Sequence, residues 1–339
     1  MTVDLSSYVE VVPDAVIERL RGARHVLAIG HEHPDADTLG ATIGIGRIVA
    51  CLGGRADLAC ADPPPPLYDF LPGIETVRTD VDPKAGYDLI VLSDTASLDR
   101  AGAIRQRAPE VFDSVPRVII DHHASNDATG PGDWIDPAAA ATCEMVALLA
   151  CRLGIPLDEG GGALATALIG GMVMDTATFA HPNTTPRTLA VAAALVEAGA
   201  PLTEVSRLIY RSKPASQLRL FGRVLDRLEE SAGGRVIWST LRDSDLDATG
   251  AEPAFSEGII DLLAQADTAD IAILFKEMGK VTRLSVRTRP GGVDATVLTG
   301  RFGGGGHARA AGATVQLPVD DARPAVLAEA ERLLSERAR

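Results

Sequence analysis

Excess positive charge is missing from this chain. Lys and Arg number 32 against 46 Asp and Glu, a formal net charge of −14, which argues against a protein that coats long nucleic acid, because phosphate binding draws on surplus cations. Cysteine is scarce as well. The four (Cys51, Cys60, Cys143, Cys151) form no C-x-x-C pair and lie among Ala, Leu and Val, so they are expected to be buried free thiols in a reducing cytoplasm. The longest apolar run, around residues 163–174, falls short of the ~20 residues that span a bilayer. The opening residues 1–7 are polar and lack a basic start, which predicts no secretory leader and a cytoplasmic protein. Residues 303–307 have no P-loop Lys or Ser/Thr, and no Gly-x-Gly-x-x-Gly, His-Glu-x-x-His or Gly-x-Ser-x-Gly motif occurs.

What is present is a large apolar fraction. With 339 residues, 46% hydrophobic and 23% charged, the chain can bury a sizeable core and has the length of two domains. Short apolar runs at residues 25–30, 88–93 and 115–120 read as strands buried on both faces. Each is followed at once by acids or imidazoles: His31, His33, Asp35 and Asp37 after the first, Asp94 after the second, and Asp121, His122 and His123 after the third. Asp175 follows a fourth apolar segment, residues 162–174, read as a helix. Any one of these residues alone reads as a turn, an N-cap or a loop histidine. Four such stretches together point to a metal site, because open α/β sheets bind ligands at the carboxyl ends of their strands. Acids with imidazole and no thiolate suit manganese or magnesium better than a structural zinc.

Helices are expected at residues 13–22, 38–52, 98–106 and 142–153, with a further strand at 57–61 and an extended tetraproline at 63–66. Residues 126–136 read as loop. The alternation of strand and helix predicts a parallel sheet. Residues 187–231 read as helices without a strand, bridging to a smaller α/β unit with strands at 235–241, 271–275 and 283–288 and helices at 257–266 and 323–337. In that unit residues 276–309 hold seven basic residues against two acids, in an otherwise acidic chain. The predicted layout is residues 1–186, a helical linker 187–234, and a second domain 235–339.

Taken as a set, His31-x-x-Pro34-Asp35-x-Asp37, the strand-end Asp94, Asp121-His122-His123 and the later Asp175 resemble the motifs of the DHH phosphoesterases. Residues 303–307 (four glycines and His307), followed by Ala310, Ala311 and Gly312, resemble the glycine-rich signature of the DHHA1 partner domain. The family often has Gly and Ser where this chain has Ala36 and Ala41, and neither change removes a ligand. The resemblance spans nearly the whole chain. It implies an N-terminal parallel-sheet DHH domain and a C-terminal DHHA1 domain with an active site in the cleft between them.

It also implies chemistry. His31 and Asp35 would hold one divalent cation, Asp37, His122 and Asp175 a second, and Asp94 would bridge them; Mn2+ is expected first, with Mg2+ or Co2+ as substitutes. Two such ions ~3.5–4 Å apart would activate a water for in-line phosphoryl displacement. His123 would face the scissile phosphate, Asp121 would orient the histidines, and His33, at a variable position, would be a solvated loop residue. Arg287, Arg289, Gly304, Gly305, Gly306 and His307 would bind substrate, the glycines by letting backbone N–H groups approach phosphate or sugar oxygens. Within the family the compact, NrnA-like type fits best: an enzyme acting on RNA of a few nucleotides, pAp, pApA and cyclic-di-AMP, and a homodimer by analogy. The alternatives are a nucleotide sensor that does not cleave and a single-strand exonuclease of RecJ type.

Overall fold

A computed structural model describes residues 3–337 apart from 127, 129 and 131; those three, within the expected 126–136 loop, lie outside the described residues. The chain divides into two compact units, Met1–Ser212 and Lys213–Arg339.

The first unit runs α1 (Asp14–Gly22), β1 (His25–Ile29), α2 (Ala36–Cys51), β2 (Arg55–Ala59), β3 (Val77–Arg78), β4 (Leu89–Ser93), α3 (Ala103–Arg107), α4 (Pro109–Ser114), β5 (Arg117–Asp121), β6 (Trp134–Ile135), α5 (Thr142–Leu153), α6 (Glu159–Asp175), α7 (Pro186–Glu197) and α8 (Leu202–Tyr210). Its six strands are parallel, in the order β3-β2-β1-β4-β5-β6. Successive residues of a strand face opposite sides of a sheet. Val26, Ala28, Val91, Val118 and Ile120 accordingly join one core, while Leu27, Ile29, Ile90, Leu92 and Ile119 join another on the far side. The strand order reverses between β1 and β4, and such a switch point opens a crevice at the carboxyl ends of the strands.

The expected helical linker is divided between the units. Val191 and Leu195 of α7 and Val205 and Ile209 of α8 are buried in the main core of the first unit, whereas Leu220, Phe221 and Val224 of α9 (Ala215–Leu225) belong to a core of the second. Apolar faces, not sequence position, decide the allegiance of each helix. A short strand, β7 (Glu229–Ser231), lies in the stretch read as free of strands. Pro66 does not stay extended but opens a 3-10 turn, Pro66–Tyr68, that buries Tyr68. All four cysteines are free, but only Cys60 and Cys143 are buried; Cys51 is exposed.

After β7 the second unit runs β8 (Val236–Leu241), α10 (Asp243–Thr249), α11 (Ile259–Leu263), β9 (Ile271–Met278), β10 (Val281–Thr288), α12 (Ala295–Gly300), β11 (Gly305–His307), β12 (Ala310–Val315) and α13 (Val319–Arg337). The sheet order is β11-β12-β10-β9-β8-β7, with only β8 and β9 parallel. One face packs Ile273, Phe275, Leu284 and Val286 against α12 and α13. Ala272 and Leu274 of the other face pack against α9 and α11; along β10 the same face turns to Arg283, Ser285 and Arg287. Among the described residues no single helix is long and apolar enough to cross a membrane.

Candidate metal centre

The site residues are delivered by the ends of β1, β4 and β5 and by two helices. Asp35 is the N-cap of α2, its Oδ1 accepting the N–H groups of Asp37 (2.9 Å) and Thr38 (3.0 Å). That cap starts the helix where it does, and so places Asp37 in the first turn. Asp37 is fully buried. Its carboxylate accepts the N–H groups of Thr142 (2.7 Å) and Cys143 (2.8 Å) at the start of α5, a helix with no side-chain cap of its own. The α6 helix must approach closely here. A Cβ at Gly171 would lie 2.3 Å from Asp37 Oδ1, so only glycine fits.

Asp94 follows β4 with a left-handed backbone, φ 58°. Thr38 Oγ1 donates to its Oδ2 at 2.6 Å and Thr142 Oγ1 to its Oδ1 at 3.2 Å. Around it stand three imidazoles. His31 Nε2 is 3.5 Å from Asp94 Oδ2 and 4.0 Å from Asp35 Oδ2. His122 Nε2 is 3.6 Å from Asp94 Oδ1 and 3.2 Å from Asp175 Oδ2. His123 Nδ1 is 3.5 Å from Asp94 Oδ1 and 2.7 Å from Asp121 Oδ1.

The tautomers follow from the outer contacts. His31 Nδ1 donates to Glu32 O at 2.6 Å and His122 Nδ1 to Ala139 O at 3.4 Å, which leaves the Nε2 atom of each ring aimed at carboxylates. Burial holds the His31 imidazole below its ordinary value, against the pull of the neighbouring Asp35 carboxylate. Burial, with the neighbouring carboxylates, pushes Asp94 and Asp175 well above the usual carboxylate range, and burial raises Asp37. Carboxylates clustered away from water repel one another until something positive sits among them. The donor atoms fit divalent cations: His31, Asp35 and Asp94 form one group within 4.8 Å, Asp37, His122 and Asp175 a second, and Asp94, His122 and His123 a third.

Asp121 behaves differently. Burial would raise its carboxyl, but hydrogen bonds from His123 and Asn126 outweigh that and bring it to about 2; the Ala96 N–H also donates to it, at 2.9 Å. His33, 86% exposed in its side chain, pairs with Asp62 at 3.1 Å.

Sequence reasoning missed Thr38, Thr142 and Asn126, which hold Asp94 and Asp121. Hydroxyls and amides of this kind carry no spacing signal; only the topology brings them to the acids.

In the second unit the glycines build a hairpin. Gly305, Gly306 and His307 of β11 face Gly312, Ala311 and Ala310 of β12. A Cβ at Gly304 would lie 2.1 Å from Gly312 O, so the close approach this glycine permits is to the neighbouring strand. Gly305 faces open space and His307 is exposed. Arg287 Nε donates to Asp261 Oδ1 at 2.8 Å. Arg289 bonds the carbonyl of Asp267 and stands 3.9 Å from Asp270.

The model of the DHH family N-terminal domain matches residues 25–172, and that of the DHHA1 domain residues 229–336. The bifunctional oligoribonuclease and PAP phosphatase NrnA of Thermus thermophilus is 34% identical over 299 residues, 88% of this chain and 86% of that one. The protein of the same name from Bacillus subtilis is 26% identical over 90% of this chain and 93% of its own. An exopolyphosphatase-related protein from Bacteroides fragilis shares the fold, with a TM-score of 0.84 at 19% identity over 95% of both chains. Motifs, fold and full-length relatives agree: the chain belongs to the DHH family, as an NrnA-like phosphoesterase with a C-terminal DHHA1 domain.

Proposed function

We propose that the centre is a two-cation site hydrolysing RNA of a few nucleotides and 3′-phosphoadenosine 5′-phosphate (pAp), and by the same chemistry cyclic-di-AMP and its linear product pApA, to 5′-mononucleotides such as AMP. The observation that carries the reading is sharing: Asp94 belongs to two donor groups and His122 to two. Two ions with a common ligand need such an arrangement. His31 and Asp35 would hold one cation, Asp37, His122 and Asp175 the other, and Asp94 both. Manganese leads, with magnesium or cobalt as substitutes, because the donors are carboxylate and imidazole. When bound, such a pair supplies an activated water and offsets the charge of an in-line phosphoryl displacement.

The chain's own groups do the rest. Asp121, ionised, fixes the hydrogen of His123 on Nδ1 and leaves Nε2 to exchange a proton with a substrate oxygen. The hydroxyls of Thr38 and Thr142 hold Asp94 in one rotamer, which keeps both its oxygens placed. In the second unit Arg287 and His307, then Arg289, would supply donors to phosphate and sugar oxygens, with Gly304, Gly305 and Gly306 shaping the strand edge beside them.

Product analysis tests this. Purified protein with Mn2+ is offered pAp, pApA, cyclic-di-AMP, a five-nucleotide RNA and pyrophosphate in parallel, with Asp94→Ala as the blank. AMP from the nucleotides and no phosphate from pyrophosphate is expected. Cleavage of pyrophosphate alone sinks the substrate assignment. Binding of nucleotides without cleavage turns the protein into a sensor.

A further inference from the structure

Residues 136–141, Asp-Pro-Ala-Ala-Ala-Ala, lead into two contacts on which the centre depends. Ala139 gives the carbonyl that takes the His122 Nδ1 hydrogen, and the segment ends at the Thr142 and Cys143 amides that hold Asp37. After Asp136 it has no polar side chain of its own, so its placement must come from outside.

Part comes from core packing of Ala139 and Ala141 and from the Asp136 N–H, which donates to Asp121 O at 2.9 Å; the rest comes from the segment that opens α7. Pro186 at the first position and the reciprocal bonds of Thr185 and Thr188 fix where that helix starts. Arg187 then reaches both ends of the alanine run: Nη1 meets Asp136 Oδ2 at 2.9 Å, and Nε donates to Glu144 Oε1 at 2.5 Å. Glu144, whose side chain has no exposed surface, also accepts the Ala140 N–H at 3.2 Å. Asn183 Nδ2 ties the same run to the fourth acid, donating to Ala140 O at 3.0 Å and to the backbone O of Asp175 at 3.2 Å. A buried carboxylate held by one guanidinium has little freedom, because breaking the pair strands a charge.

We propose that Arg187, acting through Glu144 and Asp136 and assisted by Asn183, is a positioning residue for the metal centre. It holds residues 136–141 in the place that orients His122 and Asp37. The inference rests on the two-cation reading above. Outer contacts that orient ligands typically set metal affinity or activity by about 10–100-fold.

The full chain, stripped with chelator, is titrated with MnCl2 by calorimetry, and each protein is melted in parallel. Arg187→Lys keeps the charge but cannot span two carboxylates with one fork. A cooperative melt with Mn2+ bound about 10–100-fold more weakly, and kcat for pAp reduced while KM stays within about twofold, is the expected result. Folded Arg187→Lys with affinity and kcat within about twofold of the parent overturns the proposal. If that variant does not fold, Asn183→Ala decides, since Asn183 is exposed and outside the ion pair: weaker Mn2+ binding supports the proposal and unchanged binding overturns it. A parent that takes up no Mn2+ overturns the two-cation reading and this proposal with it, a result distinct from parent and variant binding alike.

Discussion

The first unit gathers negative charge away from water, whereas the second displays positive charge in it. Asp37, Asp94 and Asp121 are 0%, 2% and 0% exposed, while β11 is exposed throughout and Arg287 and Arg289 are paired at the surface with Asp261 and Asp270. The scaffolds explain the difference. A parallel sheet covered on both faces sends its loops to one end, where several acids can meet under helices. A mixed sheet with a hairpin at its edge leaves strand faces for side chains to meet solvent. Buried acids cannot settle each other's charge and so favour a cation; surface bases already have partners, which any ligand would have to displace.

Asp94→Asn should separate the two kinds of charge most strongly. With Mn2+ it should lower AMP release by on the order of 10³-fold, read by steady-state assay. Without metal the same change should help the fold. Burial and the charges of Asp37 and Asp35 hold the folded Asp94 carboxyl well above its ordinary 3.8. A carboxyl raised in the folded state is neutral in effect where both states are protonated and weakens folding increasingly as pH rises past the unfolded value. Chelated Asp94→Asn should therefore melt above the chelated parent, by a margin wider near pH 8 than near pH 5 in scanning calorimetry. A margin that is flat or narrows would remove the claim that these acids repel.

In the second unit the hairpin gives the next largest effect. Gly304→Ala puts a Cβ 2.1 Å from Gly312 O and 2.5 Å from Ala313 Cβ, and should destabilise by about 1–3 kcal/mol in urea unfolding. Gly305→Ala meets nothing within 4 Å and should stay within about 0.5 kcal/mol. Equal effects at the two positions would return the glycines to a purely ligand-facing role. Arg287→Ala should raise KM for pAp about 10-fold with less change in kcat, since it removes a contact from bound substrate without touching the reacting atoms; an unchanged KM would take the substrate role away from this face. Smallest of all, His33→Ala should alter kcat/KM by less than about twofold, and a larger loss would promote it into the centre.

Much of the first unit was legible because its central strands are apolar on both faces and end in chemically marked residues; β1, β4 and β5 announce themselves and so do the acids and imidazoles at their ends. The short β6 and the α4 helix at Pro109–Ser114 have too few residues to show a period. In the second unit β11 and the first four residues of β12 are Gly and Ala apart from His307, types with little strand preference, so the hairpin read as a substrate-binding glycine stretch. The fate of α7, α8 and α9 depends on which core their apolar faces meet, and no local pattern states that. Arg187 was invisible for the same reason, its two carboxylates lying 51 and 43 positions away along the chain.

Seven non-glycine residues among those described have a left-handed backbone; one is Asp94 itself, and five more, His33, Ala96, Ala177, Thr178 and Phe179, lie within four positions of a candidate ligand. Each such conformation disfavours the fold by roughly 1 kcal/mol. Selection for heat resistance would find its easiest gains here, with glycine or asparagine at Ala96 or Ala177 relaxing the chain. The same relaxation would loosen the turns that aim the acids. Screens for durability and screens for turnover should thus pull these few positions in opposite directions, leaving the sheet below them untouched.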